Sequence, residues 1–470
     1  MADAWAKKNL AIGTRNHSVL LANDEHKWVK ILGVYSGSLD MQEREINVRP
    51  RQEIPYIEVS SEEFAESFSA LHISEQPRLP VRIHQSQRDS TGLSHELQLQ
   101  HWLLSPTGPK LETALVEQIK AGATEICVGV ALHGYACAGM PGKKHKNYWS
   151  PVTAALNCSR LPHPVLAFDL PSYNATLQDK KTISKNPWLK KIDHYPYVFL
   201  QAIDNQLDQI EEALLELPAV SREGKPTQEL PLNLEVMAHS VGGRAVMVAA
   251  SLDNGNRLVE LINRWQLRLG RTLHLSLTIL EPAFGLQADL LIQAVNMLNN
   301  PATRLLMKVN PWAVILSLRG LLSPLRGRYH LSKHDELYPL QRILQTDHLE
   351  QIISHPRDIA QLPEVPLLTP GQLTRQGIPT QVIMSTLDSL VDNAATGRAF
   401  KFPPHSSHPV AWPAVNAHFN ADTVSLTPND AAIPEAQGTI FLHGAGHTAE
   451  LDVPGVIAAL VTHHVNRSQP

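Results

Sequence analysis

The sequence is short of the features that would classify it at a glance. Cysteine is scarce: the 3 cysteines, Cys127, Cys137 and Cys158, include no C-x-x-C pair. That is too few for a disulfide framework, and a reducing compartment is the simpler reading. Long apolar runs are also missing, since none reaches the roughly 18 residues that a membrane-spanning helix requires. The nearest approach, residues 312–325, is interrupted by Arg319, Gly320 and Pro324. The opening MADAWAKKNLAIGTRN has no apolar core of signal-peptide length, so the expected location is cytoplasmic. Nor is there a surplus of one charge. With 41 basic and 45 acidic side chains the net charge is −4, which speaks against a nucleic-acid partner, because a polyanion demands clustered positive charge. The short basic run Lys143, Lys144, His145, Lys146 fits a solvated loop.

What is there is ordinary globular material. At 43% hydrophobic and 18% charged, the chain has enough apolar side chains to bury a large core. Its length suits about two to four folding units, or one large domain with insertions. Residues 1–80 read as an N-terminal extension with a hairpin over 17–21 and 28–34. From residue 81 strands alternate with helices. Strands are expected at 96–104, 125–132, 164–168, 232–237 and 274–280, with helices at 111–120, 200–217 and 242–252. The run EICVGVAL at 125–132 is apolar on both faces, as a buried parallel strand should be. Residues 282–376 break the rhythm with helical pieces at 289–298, 312–322 and 337–346, and are expected to fold as a helical cap, being too long for a loop. The alternation resumes over 377–470, with strands at 380–385 and 439–442 and a helix at 454–465. This pattern predicts an α/β fold whose mostly parallel sheet is covered by helices on both faces.

The densest chemical signal is LNLEVMAHSVGGRAVMVAA, where an apolar strand runs into Ala238-His239-Ser240-Val241-Gly242-Gly243 and a helix follows at once. A serine on a sharp strand-to-helix turn needs small neighbours two positions before and after it, or strand and helix collide. Ala238 and Gly242 meet that need, with Ala where glycine is commoner. The N–H of Val241, at the helix start, is placed to stabilise an oxyanion. Near the C-terminus, a strand leads into Gly444, Gly446 and His447, a loop position from which an imidazole reaches such a serine. His443 is the rival, at the strand end. Between them, IPTQVIMSTLDSLVDNAA offers Asp388 at the start of a loop, suited to hold the imidazole in the right tautomer. Asp392 is the alternative acid, with helix capping as its plainer role. Glu281, directly after another strand, is a third candidate whose plainer role is to close the base of the cap. After the 125–132 strand, His133 and Gly134 let the backbone approach a substrate, so that the N–H of Tyr135 joins that of Val241.

These residues resemble the α/β-hydrolase superfamily, in its branch of esterases, lipases and small-molecule hydrolases. The resemblance runs from about residue 81 to 465 without the cap, on His133-Gly134, Asp169-Leu170-Pro171, the Ala238–Gly243 turn, Asp388 and Gly444-Ala445-Gly446-His447. Pro171-Ser172-Tyr173-Asn174 departs from it, lacking the usual glycines. The resemblance implies a Ser240–His447–Asp388 triad with Tyr135 and Val241 as oxyanion donors, an acyl substrate that is small or lipid-like, and no cofactor or metal. Residues 312–322 would pack the cap on the core or touch lipid peripherally. Two other classes compete: a non-hydrolytic use of the scaffold, as lyase or silent binding protein, and a metalloenzyme built on His405/His408 or His443/His447. Neither histidine pair has an adjacent carboxylate in the pattern of the helical zinc motif.

Overall fold

The computed structural model describes residues 19–20, 58–59, 61–85, 92–134, 148–158, 161–171, 173, 176–222, 224–285, 300–309, 359, 363, 365–385, 388, 391–400, 438–442, 447–452, 454–455, 457–458 and 460–462. Ten strands lie among them: β1 (Val19–Leu20), β2 (Glu58–Val59), β3 (His72–His84), β4 (Ser94–Ser105), β5 (Ile126–Leu132), β6 (Val165–Phe168), β7 (Leu232–His239), β8 (Leu273–Leu280), β9 (Thr380–Ser385) and β10 (Thr439–Leu442). The last eight form one sheet in the order β10-β9-β8-β7-β5-β6-β4-β3. β4 alone runs against the rest, pairing antiparallel with β3 and β6, while the other neighbours are parallel. This is the α/β-hydrolase fold.

Burial follows the sequence pattern. β7 is buried at every position and β5 at all but Cys127, as their apolar runs demand. β3 alternates instead, burying Leu79, Val81 and Ile83 between exposed neighbours. It also carries Pro77 and Pro80, which cannot donate to a ladder and are tolerated because β3 is an edge. β3 begins at His72, upstream of the residue-81 boundary read from the sequence. The predicted 17–21/28–34 hairpin is corrected in part: Val19 and Leu20 pair with Val59 and Glu58, and residues 28–34 lie outside the described residues.

Helices cover both faces. On one face Leu111–Lys120, Tyr195–Leu215, Val241–Ser251 and Asn256–Leu269 contribute Leu115, Phe199, Leu207, Ala245 and Trp265 to the larger core. Tyr195–Leu215 earns its place by spacing: Phe199, Ile203, Leu207, Ile210 and Leu214 recur every three or four residues on its buried side. The opposite face packs Phe64, Phe68, Trp149, Val152, Ile457 and Leu460. Val241–Ser251 is buried throughout, because its small residues let it lie against β7 and β8. A Cβ on Gly243 would stand 3.0 Å from Ile279 Cγ2. In the predicted cap, a helix at Pro301–Val309 appears that the sequence pattern did not single out. The helical pieces expected at 289–298, 312–322 and 337–346 fall outside the described residues. No helix among the described residues is long and apolar enough to cross a membrane.

Candidate active site

The parallel strands β7, β8 and β9 end side by side, and the segments leaving them carry Ser240, Glu281 and Asp388. Ser240 sits at φ 53 and ψ −114, a conformation that costs a non-glycine residue about 1–3 kcal/mol and persists only where surroundings enforce it. They do: its N–H donates to Leu280 O at 2.8 Å, and its carbonyl accepts from Arg244 N at 2.9 Å and Ala283 N at 3.1 Å. The small neighbours matter as expected. A Cβ on Gly242 would fall 2.6 Å from His133 O, and one on Gly134 would fall 2.5 Å from His239 Nδ1 and 2.8 Å from Ser240 Cβ. Ala238 is fully buried in β7, so its extra methyl is accommodated.

His447 reaches this turn from 207 residues away, with Nε2 3.1 Å from Ser240 Oγ. Its Nδ1 lies 2.8 Å from Asp388 Oδ2. A carboxylate only accepts, so Nδ1 carries the proton and Nε2 presents its lone pair to the serine hydroxyl. Asp388 Oδ1 accepts from Val391 N at 2.8 Å, which fixes the carboxylate plane. All three side chains are buried. Asp392, the alternative acid, pairs instead with Arg398 Nη2 at 3.1 Å. Glu281 is fully buried beside Asp388, at φ 46, with Ser385 N 2.7 and 2.8 Å from its two carboxyl oxygens. Burial, then the Asp388 charge, pushes the Glu281 carboxyl well above the usual carboxylate range, against hydrogen bonds from Ser385.

His239 does more than fill the turn. Its Nε2 lies 2.7 Å from the backbone oxygen of His447, which can only accept, so Nε2 is the protonated nitrogen. Burial, then the neighbouring His447, holds this ring well below the ordinary imidazole range, although Glu450 Oε1 stands 3.3 Å from Nδ1. The neutral ring therefore accepts at Nδ1 from the Tyr148 hydroxyl, 2.9 Å away. Sequence reasoning gave no part to Tyr148 or Glu450; the only signal was an acid three positions after His447, too common a spacing to notice.

His133 is buried and fixed at both nitrogens. Nε2 accepts from Leu170 N at 3.0 Å, so Nδ1 donates to Gly134 O at 2.7 Å. Asp169 Oδ1 stands 3.6 Å from Nε2. This locks the His133-Gly134 backbone over the Ser240 turn. Val241 opens its helix, so its N–H has no acceptor within that helix. Tyr135, His443, Gly444, Gly446, Lys143, Lys144, Lys146, His405 and His408 lie outside the described residues.

No protein-family model and no curated protein matches the chain. Solved structures similar to it include a peroxisomal α/β-hydrolase of Saccharomyces cerevisiae, 10% identical with a TM-score of 0.38, over 84% of this chain and 87% of that one. A soluble variant of monoglyceride lipase from Saccharomyces cerevisiae is 12% identical with a TM-score of 0.34, over 84% and 98%. An esterase of Pyrococcus furiosus is 11% identical with a TM-score of 0.32, over 83% and 90%. Likeness at this level fixes neither substrate nor site residues.

Proposed function

We propose that the chain is a serine hydrolase that cleaves a carboxylic ester, or a related acyl bond, of a small or lipid-like substrate. The observation that carries this reading is the unbroken relay from Ser240 Oγ through both nitrogens of His447 to Asp388, with contacts of 3.1 and 2.8 Å. Its position, where parallel strands end, is where open α/β sheets place their sites.

The chemistry follows from the tautomer. His447 Nε2 takes the hydroxyl proton as Ser240 Oγ attacks the carbonyl carbon. The negative charge formed on the carbonyl oxygen faces the N–H of Val241, with the N–H of Tyr135 as the second donor. The C–O bond to the leaving group then breaks, and that oxygen takes the proton from His447, leaving an acyl ester on Ser240. Water repeats both steps, giving the acid and restoring the serine. Throughout, Asp388 stabilises the imidazolium and keeps Nδ1 protonated.

A fluorophosphonate probe is expected to label the wild-type protein stoichiometrically and Ser240→Ala not at all. Turnover of short-chain and long-chain aryl esters should fall about 10⁴-fold or more in that variant. A folded wild-type protein that takes up no probe would overturn the proposal. Labelling without ester turnover would instead assign the activated serine to other chemistry.

A further inference from the structure

Two acids stand behind His447 where the proposed chemistry uses one. Glu281 follows β8 as Asp388 follows its neighbour β9, and both are buried. The backbone of Glu281 enters the left-handed region, φ 46, which brings a steric cost for any side chain. Contacts hold it there: its N–H donates to Ile383 O at 2.9 Å, and Ser385 N lies 2.7 and 2.8 Å from Oε1 and Oε2. The Glu281 carboxyl also hydrogen-bonds the Asp388 side chain.

Two carboxyl groups can share a hydrogen bond only if one of them carries a proton. The donors decide which. Asp388 has a separate donor for each oxygen, Val391 N at 2.8 Å on Oδ1 and His447 Nδ1 at 2.8 Å on Oδ2. Glu281 draws on Ser385 alone, whose one backbone N–H straddles both its oxygens and whose side chain also bonds it. The negative charge goes to Asp388 and the proton to Glu281.

We infer that Glu281 is a positioning residue, a neutral carboxylic acid that donates its O–H to Asp388 and holds that carboxylate toward His447 at a total of one negative charge. The inference rests on reading His447 as the general base. A second full charge at this depth would make the imidazole a stronger base and favour its protonated, unreactive form. The shared proton prevents that. Among the described residues, Ser240 and His239 also face His447, the His239 ring centroid 4.7 Å away, with Tyr148, Glu450 and His133 around His239. On the Asp388 loop, Asp392 is neutralised by Arg398.

Two variants and one spectrum test this. Glu281→Gln keeps an N–H donor for Asp388 and an acceptor for Ser385, so the acid limb of the pH profile of kcat/KM on an aryl acetate should not move. Glu281→Leu can do neither, and its acid limb should rise by about one pH unit with kcat down about tenfold. Were Glu281 ionised, Glu281→Gln would remove a buried charge and lower that limb by about one unit or more, which overturns the inference. An unchanged profile in both variants would overturn it too, leaving a filler role. Difference infrared spectra read the same proton without turnover, even where Glu281→Leu fails to fold. A protonated-carboxyl band should be present in the wild type at about pH 8 and absent in Glu281→Gln. Its absence from the wild type refutes the neutral acid. A band in a protein that hydrolyses no ester would uphold the carboxyl pair while retiring the hydrolase reading.

Discussion

Replacing Asp388 with asparagine exchanges one oxygen for an amide nitrogen at almost constant volume, so its effect isolates chemistry from packing. Val391 N, 2.8 Å from Oδ1, needs an acceptor and keeps the carboxamide oxygen in that place. The NH₂ group then occupies the Oδ2 position, 2.8 Å from His447 Nδ1. An amide nitrogen only donates, so His447 turns its lone pair to Nδ1 and its proton to Nε2. That proton points at Ser240 Oγ, 3.1 Å away, and the imidazole cannot accept from the serine. A wrong tautomer of this kind lowers kcat by about 10⁴-fold, which is about 5.4 kcal/mol of transition-state stabilisation at about 1.36 kcal/mol per factor of ten. The assay is aryl acetate turnover under saturating substrate, with thermal unfolding as the control for folding. Asp392→Asn serves as the comparison. Its carboxylate pairs with Arg398, which is largely exposed, so activity should stay within about twofold of wild type. A folded Asp388→Asn enzyme within about tenfold of wild type would refute the reasoning, and so would a larger loss in Asp392→Asn.

Two further expectations concern backbone approach and pH. Gly134→Ala would place a methyl 2.5 Å from His239 Nδ1 and 2.8 Å from Ser240 Cβ. It should cost about 1–3 kcal/mol of stability together with most of the turnover, and wild-type melting with wild-type rates would disprove the close approach. His101, buried with Nε2 3.1 Å from Gln206 Nε2, is pushed by burial from its ordinary 6.5 to about 3. Its contribution is complete above 6.5 and is lost as pH falls toward 3, because the unfolded imidazole takes up a proton that the folded one refuses. Unfolding free energies of His101→Asn, from denaturant titrations, should therefore fall less steeply below pH 6.5 than wild type, by about 1.4 kcal/mol per pH unit, and equal slopes would refute this. His239 adds a slope of the same sign and Glu281 one of the opposite sign, so only the difference between the two proteins isolates His101.

Elements whose burial is continuous were legible in the sequence. β9, buried at every position, and β10 were predicted to the residue, with Pro379 and Gly438 standing just ahead of their starts. β3 was missed because its polar alternation and two prolines deny a strand anywhere except an edge, and being an edge is a property of the finished sheet. The Ser240 turn was readable because its steric demand for small neighbours falls on adjacent positions. Asp388 was separable from Asp392 by loop position alone. The Glu281 pairing was not readable, since it depends on β8 and β9 ending together and on a backbone conformation that no residue type signals. Tyr148 and His239 are 91 positions apart, and no spacing rule connects them.

The hidden contacts share one consequence, which is that His447 is constrained through its backbone as well as its ring. Asp388 and Ser240 fix the two nitrogens, while the Nε2–H of His239 fixes the carbonyl. A loop imidazole held only at its ring would lose alignment whenever the backbone drifted, and misplacement by about 1 Å costs about 10²-fold in rate. The backbone anchor works only while His239 donates at Nε2 and accepts at Nδ1, hence only while it is neutral. Burial secures that, and Tyr148 completes it from the segment just ahead of Ser150–Leu156 on the other face of the sheet. A proton on His239 would put a positive charge 4.7 Å from the His447 ring and make it a weaker base. The neutrality of His239 and the single charge of the Glu281–Asp388 pair thus act on the same imidazole from opposite directions, one guarding it against losing basicity and the other against gaining too much.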